Sequence, residues 1–193
     1  MVTISYFLEK APMVFWWIVI AAAILFYWRS KKVAPLIWVA IFFRIAHAAA
    51  QTVYQYYDWK SGALTRLFLP PYQPEDYLLF YSWGRFWLNV VAVLVATFIF
   101  YSFLKILQKY RERFFVPGET ELGGLCVLIA GWPGFVFFLP FVFATVVLVS
   151  IFRMLVLKKT YTTLGYPLLL AAILVLAFGD RLIQIFDWKV LRI

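Results

Sequence analysis

The sequence predicts an all-α membrane protein, a six-transmembrane-helix bundle formed as one integral-membrane domain over residues 1–193. Composition is the first observation: 65% of residues are hydrophobic and 14% charged, against about 45–50% apolar and about 25% charged in soluble domains. Mean hydropathy is +0.88, so water cannot be the main solvent for this surface. The second observation is length: apolar stretches able to cross a bilayer, roughly 20 residues each, recur along the chain. The third is charge placement. Lys and Arg gather after every second stretch, as the positive-inside rule requires of alternating crossings.

Residues 11–28 form the first predicted span, free of charge and closed by Arg29, Lys31 and Lys32. Its apolar run is longer than the core of a signal peptide and its basic flank follows the run, so it is expected to stay as a helix. The second span, 33–53, contains Arg44, His47 and Gln51. Residues 55–76 are too polar for the bilayer core and carry Leu67-Phe68-Leu69 ahead of Pro70-Pro71. They are expected to form an interfacial arm between helices 2 and 3, lying on the outer leaflet. The third span is 77–107. Residues 122–157 are too many for one crossing, and Trp132-Pro133-Gly134 and Pro140 supply breakers, which predicts a hairpin of spans 122–137 and 138–157. The sixth span is 164–186. Gly123-Gly124 is expected to allow close helix packing.

The basic clusters set the orientation. Arg29, Lys31 and Lys32, then Lys105, Lys109, Arg111 and Arg113, then Arg153, Lys158 and Lys159 follow spans one, three and five, with three acids (Glu112, Glu119, Glu121) beside them. The opposite segments balance Lys10, Lys60, Arg66, Lys189 and Arg192 against Glu9, Asp58, Glu75, Asp76 and Asp187. Both termini are therefore expected on the outer side of a bacterial-type inner (plasma) membrane. The net charge of +9 reads as a topology signal with contact to anionic lipid, and no nucleic acid is implied.

The same inventory excludes several function classes. The single cysteine, Cys126, permits no internal disulfide, and the single histidine, His47, permits no bis-histidine haem without a ligand from another chain. There is no phosphate-cradling Gly-rich loop, no paired histidines and no serine–histidine spacing of a hydrolase. No cofactor and no metal are expected.

What remains is polar chemistry inside the spans. Arg44, Arg85 and Arg181 lie in apolar stretches, where a charge costs a few kcal/mol even on the mildest insertion scale and is a functional-site hypothesis by default. Arg44, His47 and Gln51 fall at i, i+3 and i+7 on one helical face, Arg85 and Asn89 at i, i+4. Asp180, Arg181 and Gln184 end the sixth span. Near the span ends, Arg85 can snorkel and Arg181 can be neutralised by Asp180; Arg44, at mid-span, can do neither easily. Asp180 is the only acid expected at membrane depth, so about two positive charges call for an anion from outside the chain, a phospholipid head group or a partner's acid.

The chain resembles the prolipoprotein diacylglyceryl transferase family. Phe43-Arg44-Ile45 is similar to that family's Gly-Arg-Ile-Gly-Tyr segment, and Gly179-Asp180-Arg181-Leu182-Ile183-Gln184 to its closing Arg-Phe-Ile-Ile-Glu pattern. Ser82-Trp83-Gly84-Arg85-Phe86-Trp87 stands where the family has Gly-Gly-hydrophobic-Ser-Phe-His, so Trp87 takes the place of the catalytic histidine. The resemblance implies a lipid-site role for Arg44 and Arg181 but carries no catalysis over. A second resemblance, through Gly118-Glu119, Gly131-Trp132-Pro133-Gly134 and Phe178-Gly179-Asp180, is to the last spans of prepilin peptidases. Those need two carboxylates on one side, whereas Asp58 and Asp76 are expected a bilayer away from Glu119.

Three functional expectations follow. In the first, Arg44, Arg85, Arg181, Gln51 and Asn89 form an outer-half site for an anionic phospholipid head group. In the second, the chain is a cofactor-free accessory or scaffold subunit whose arginines face acids of other membrane subunits. In the third, it is an active diacylglyceryl transferase with His47 in place of the missing histidine.

Overall fold

The structure is a computed structural model that describes residues 2–29, 32–110, 115–158 and 163–186. Lys31, Arg111, Glu112, Arg113, Lys159, Asp187, Lys189 and Arg192 of the charge count lie outside the described residues. The order is α1 (Val2–Arg29), α2 (Ala34–Ser61), a 3-10 turn (Thr65–Phe68), α3 (Glu75–Ser82), a π turn (Trp83–Trp87), α4 (Leu88–Tyr110), α5 (Glu119–Ala130), α6 (Gly134–Leu157) and α7 (Gly165–Ile185), with no strand among the described residues. Five stretches are long and apolar enough to cross a membrane: Tyr6–Arg29, Ala34–Ser61, Asp76–Tyr110, Gly134–Val156 and Gly165–Ile185. Their outward faces carry Trp38, Phe42, Phe98, Phe143 and Leu148, all highly exposed, which is the surface of a protein solvated by hydrocarbon.

The element expected as span 122–137 is of another kind. α5 has 12 residues, about 18 Å, short of a roughly 30 Å hydrocarbon core. Leu122 through Ile129 are all buried, and α1, α2, α4, α6 and α7 pack around them. A helix that is apolar on every side belongs inside a bundle, and α5 is the axis of this one. Gly123 serves the packing as expected: a Cβ there would collide with Leu104 on α4.

Two of the boundaries that differ from the sequence reading have a clear local cause. The first is the hairpin break, which falls at residues 131–133, so that 137 and 138 lie within α6 and Pro140 is carried inside that helix. Gly131 ends α5 at φ +67, a conformation open to glycine, and Pro133 precedes α6, where a missing N–H has no intrahelical partner to lose. The second is the expected arm, whose opening residues continue α2 as far as Ser61. Buried Trp59 explains this, since Phe68, Tyr77 and Tyr81 close on it with ring centroids 5.4, 6.0 and 5.0 Å away. The aromatic cluster holds the last turns of α2 against α3.

Glu119, expected in a basic loop, is fully buried. Its carboxylate accepts hydrogen bonds from Tyr27 Oη at 3.0 Å, the Gly165 N–H at 2.8 Å and the Val116 N–H at 2.9 Å. α5 and α7 both begin here, so their positive dipole ends converge on one anion. The neighbouring Glu121 pairs with Lys105 at 3.5 Å. These contacts define a basic end of the bundle, where α1, α4 and α6 finish and α5 and α7 start.

Candidate functional site

The opposite end holds a cavity of about 610 Å3. It is built where three helical irregularities meet. α5 stops at Ala130, α6 starts at Gly134, and between α3 and α4 the helix widens into the π turn, in which the Leu88 N–H bonds back to the Trp83 carbonyl. Turns of this kind inside α-helices are frequent at functional sites, because the added residue re-aims side chains. Trp87 pins the turn to α2 by donating from Nε1 to Thr52 Oγ1 at 3.2 Å. The turn presents Arg85 and Phe86 to the cavity, α4 presents Asn89, α2 presents Gln51, and α7 contributes Val175, Leu176, Gly179, Asp180 and Ile183.

Two of the polar groups in it, Arg85 and Asn89, are under-committed. Among the described residues, Arg85 makes no hydrogen bond or ion pair, and the Asn89 Oδ1 is buried without a partner. A buried polar atom left unmade costs about 1–3 kcal/mol, so its survival in a fold asks for a reason. Arg85 itself is exposed at the cavity mouth.

Of the five residues expected in one site, the cavity brings together Arg85, Asn89 and Gln51. Arg44 is elsewhere. Its Nη2 donates to the Leu128 carbonyl at 2.6 Å, its guanidinium lies 4.5 Å over the Trp16 ring, and it abuts Gly131. This is the C-terminal end of α5, where unpaired carbonyls gather the negative pole of the helix, while the Arg44 Nε is buried without a hydrogen-bond partner. Arg181 is exposed and lies outside the lining, while its neighbour Asp180 belongs to it. His47 also lies off the cavity: its Nε2 donates to the Leu8 carbonyl at 3.0 Å and its ring stacks on Phe43.

Asp180 is the cavity residue that sequence reasoning assigned to another task, as the partner of Arg181. Its signal was available in helical spacing, because Leu176, Gly179, Asp180 and Ile183 fall at i, i+3, i+4 and i+7. Glu119, for its part, has the hydrogen-bond partners of a structural anchor, with no second carboxylate among them. The described residues hold no cluster of three or more His, Cys, Asp or Glu able to bind a metal ion.

The fold is a helical bundle with five helices long and apolar enough to span a membrane. Comparison with known protein families, with curated proteins and with solved structures finds no match.

Proposed function

We propose that this chain is a multi-pass protein of a bacterial-type inner membrane that holds the phosphate of a phospholipid head group in the cavity at Arg85. The chain then makes six passes, with α5 completing its crossing as a short helix shielded from lipid by its neighbours. Placing Arg29, Lys105, Lys109 and Lys158 inside, as the positive-inside rule asks, puts both termini outside and opens the cavity to the outer leaflet. One observation carries the reading: an uncommitted guanidinium shares a cavity with the amides of Gln51 and Asn89 at the start of α6. A guanidinium fork is the side chain best matched to phosphate oxygens, and a helix N-terminus favours the same charge. His47 is engaged with α1 and faces no cavity group, which supports binding over transfer.

The test is lipid retention. The full chain and Arg85→Gln are purified in detergent and their bound phospholipid is extracted and weighed by mass spectrometry. Loss of a charge-assisted contact is expected to lower retained phospholipid by about tenfold with the melting temperature unchanged. Equal retention in the two proteins would overturn the proposal.

A further inference from the structure

Arg85 and Asp180 are the two ionisable side chains among the cavity's described lining residues, one from the π turn and one from α7. Opposite charges in one polar cleft ordinarily close on each other, yet Arg85 forms no ion pair among the described residues. Both side chains line the cavity without pairing with each other. A purely anionic ligand gains Arg85 but meets the Asp180 carboxylate, and like charges in one cleft repel. Arg44 and Arg181, which would tip the balance toward a net anion, do not line this cavity.

We propose that the cavity selects a zwitterionic phosphoethanolamine group, its phosphate held by Arg85 and its ammonium by Asp180. This deepens the phosphate reading above and rests on it. The ammonium offers three N–H donors in addition to its charge. A carboxylate has about four acceptor positions, so Asp180 can receive it beside any other donor. The Asn89 amide is suited to either half, because its carbonyl accepts and its NH2 donates. The mixed lining, with the amides of Gln51 and Asn89 beside the two charges, suits a ligand whose two ends differ in sign. A volume of about 610 Å3 has room for the head group and the glycerol behind it.

Phosphoethanolamine could arrive as a lipid head group or as a soluble ester, and the experiment separates the two. The full chain is equilibrated in mixed micelles with equal amounts of dioleoyl phosphatidylethanolamine and dioleoyl phosphatidylglycerol, and bound lipid is counted by native mass spectrometry. The expected result is retention of the ethanolamine lipid over the glycerol lipid by on the order of tenfold. Asp180→Asn is expected to bring that ratio close to one, while Arg85→Gln lowers both lipids. Phosphatidylcholine has the same charges but no N–H donors, and it is expected to bind less well than phosphatidylethanolamine. Displacement of bound lipid by soluble glycerophosphoethanolamine assigns the site to the soluble ester; failure to displace assigns it to the lipid.

Two outcomes sink the idea: a wild-type protein that keeps phosphatidylglycerol as well as phosphatidylethanolamine, or a preference that survives Asp180→Asn. The first needs no variant to fold. Retention of lipid by Arg85→Gln, in contrast, defeats the underlying phosphate reading and leaves a different signature.

Discussion

Arg44 and Glu119 stand at opposite ends of α5, the guanidinium on the Leu128 carbonyl and the carboxylate at the first turn. A short helix buried on all sides has no water to satisfy its terminal groups or to screen its dipole. Each end is met instead by a polar side chain, Arg44 brought by α2 at the C-terminus and Glu119, the helix's own first residue, at the N-terminus. The two sit inside the bundle at opposite ends of one helix. This placement also accounts for why Arg44 is absent from the cavity lining.

Arg44→Leu should therefore behave as a stability variant. It removes a charge-assisted hydrogen bond at a helix end, which amounts to about 2 kcal/mol of lost stability. The measurement is thermal unfolding in detergent followed by circular dichroism, with bound phospholipid counted in parallel. A lower melting temperature is expected with lipid retention kept below the transition. Loss of lipid at an unchanged melting temperature would return Arg44 to the binding site.

At the other end, three donors converge on Glu119, and deleting them one by one should give a graded series. Tyr27→Phe removes a single donor and should cost about 1 kcal/mol. Glu119→Gln keeps one acceptor oxygen but turns an NH2 toward a backbone N–H, which should cost about 2–3 kcal/mol. Glu119→Ala strands all three donors and is expected to be the worst of the series. Unfolding midpoints that rank Tyr27→Phe below Glu119→Ala in stability would contradict the arrangement.

Gly131 tests the hinge between α5 and α6. Its φ of +67 disfavours any side chain, and a Cβ there would stand 2.6 Å from Arg44 Nη2. Gly131→Ala should cost about 1–3 kcal/mol from backbone strain, with the displacement of Arg44 added to it. In a double-mutant cycle with Arg44→Leu, the two effects should be less than additive, because the second substitution removes the atom that the first one strikes.

The class of fold was legible because it depends on bulk quantities, apolar length and charge placement, which sequence displays directly. Site membership depends on what stands opposite each side chain. Arg44, His47 and Gln51 do share α2, but α2 meets different neighbours along its length: α5 at Arg44, α1 at His47, the cavity at Gln51. Helical periodicity gives an angle around one axis and is silent about who occupies that direction. The same limit separated Asp180 from Arg181, adjacent in sequence and about 100° apart around α7. Glu119 was hidden for another reason. Beside a basic loop an acid looks solvated, and only the convergence of α1, α5 and α7 shows it as an internal anchor. Nor could periodicity place the π turn, since one added residue in a helix leaves no mark in an apolar pattern.

Asn89 offers the sharpest separation of binding from folding. Its Oδ1 is buried without a hydrogen-bond partner in the protein, a penalty that a well-packed apolar side chain of similar size would relieve. Asn89→Leu is expected to raise stability by about 1 kcal/mol, the usual size of such a gain at a functional position. The same change removes a polar contact to the head group and should lower phospholipid retention several-fold. Melting temperature and bound lipid must therefore move in opposite directions in one variant. If both fall together, Asn89 is a packing residue whose amide has a partner; if neither moves, the amide is irrelevant to fold and ligand alike. Opposed movement is the signature of a site maintained against the stability of its own bundle.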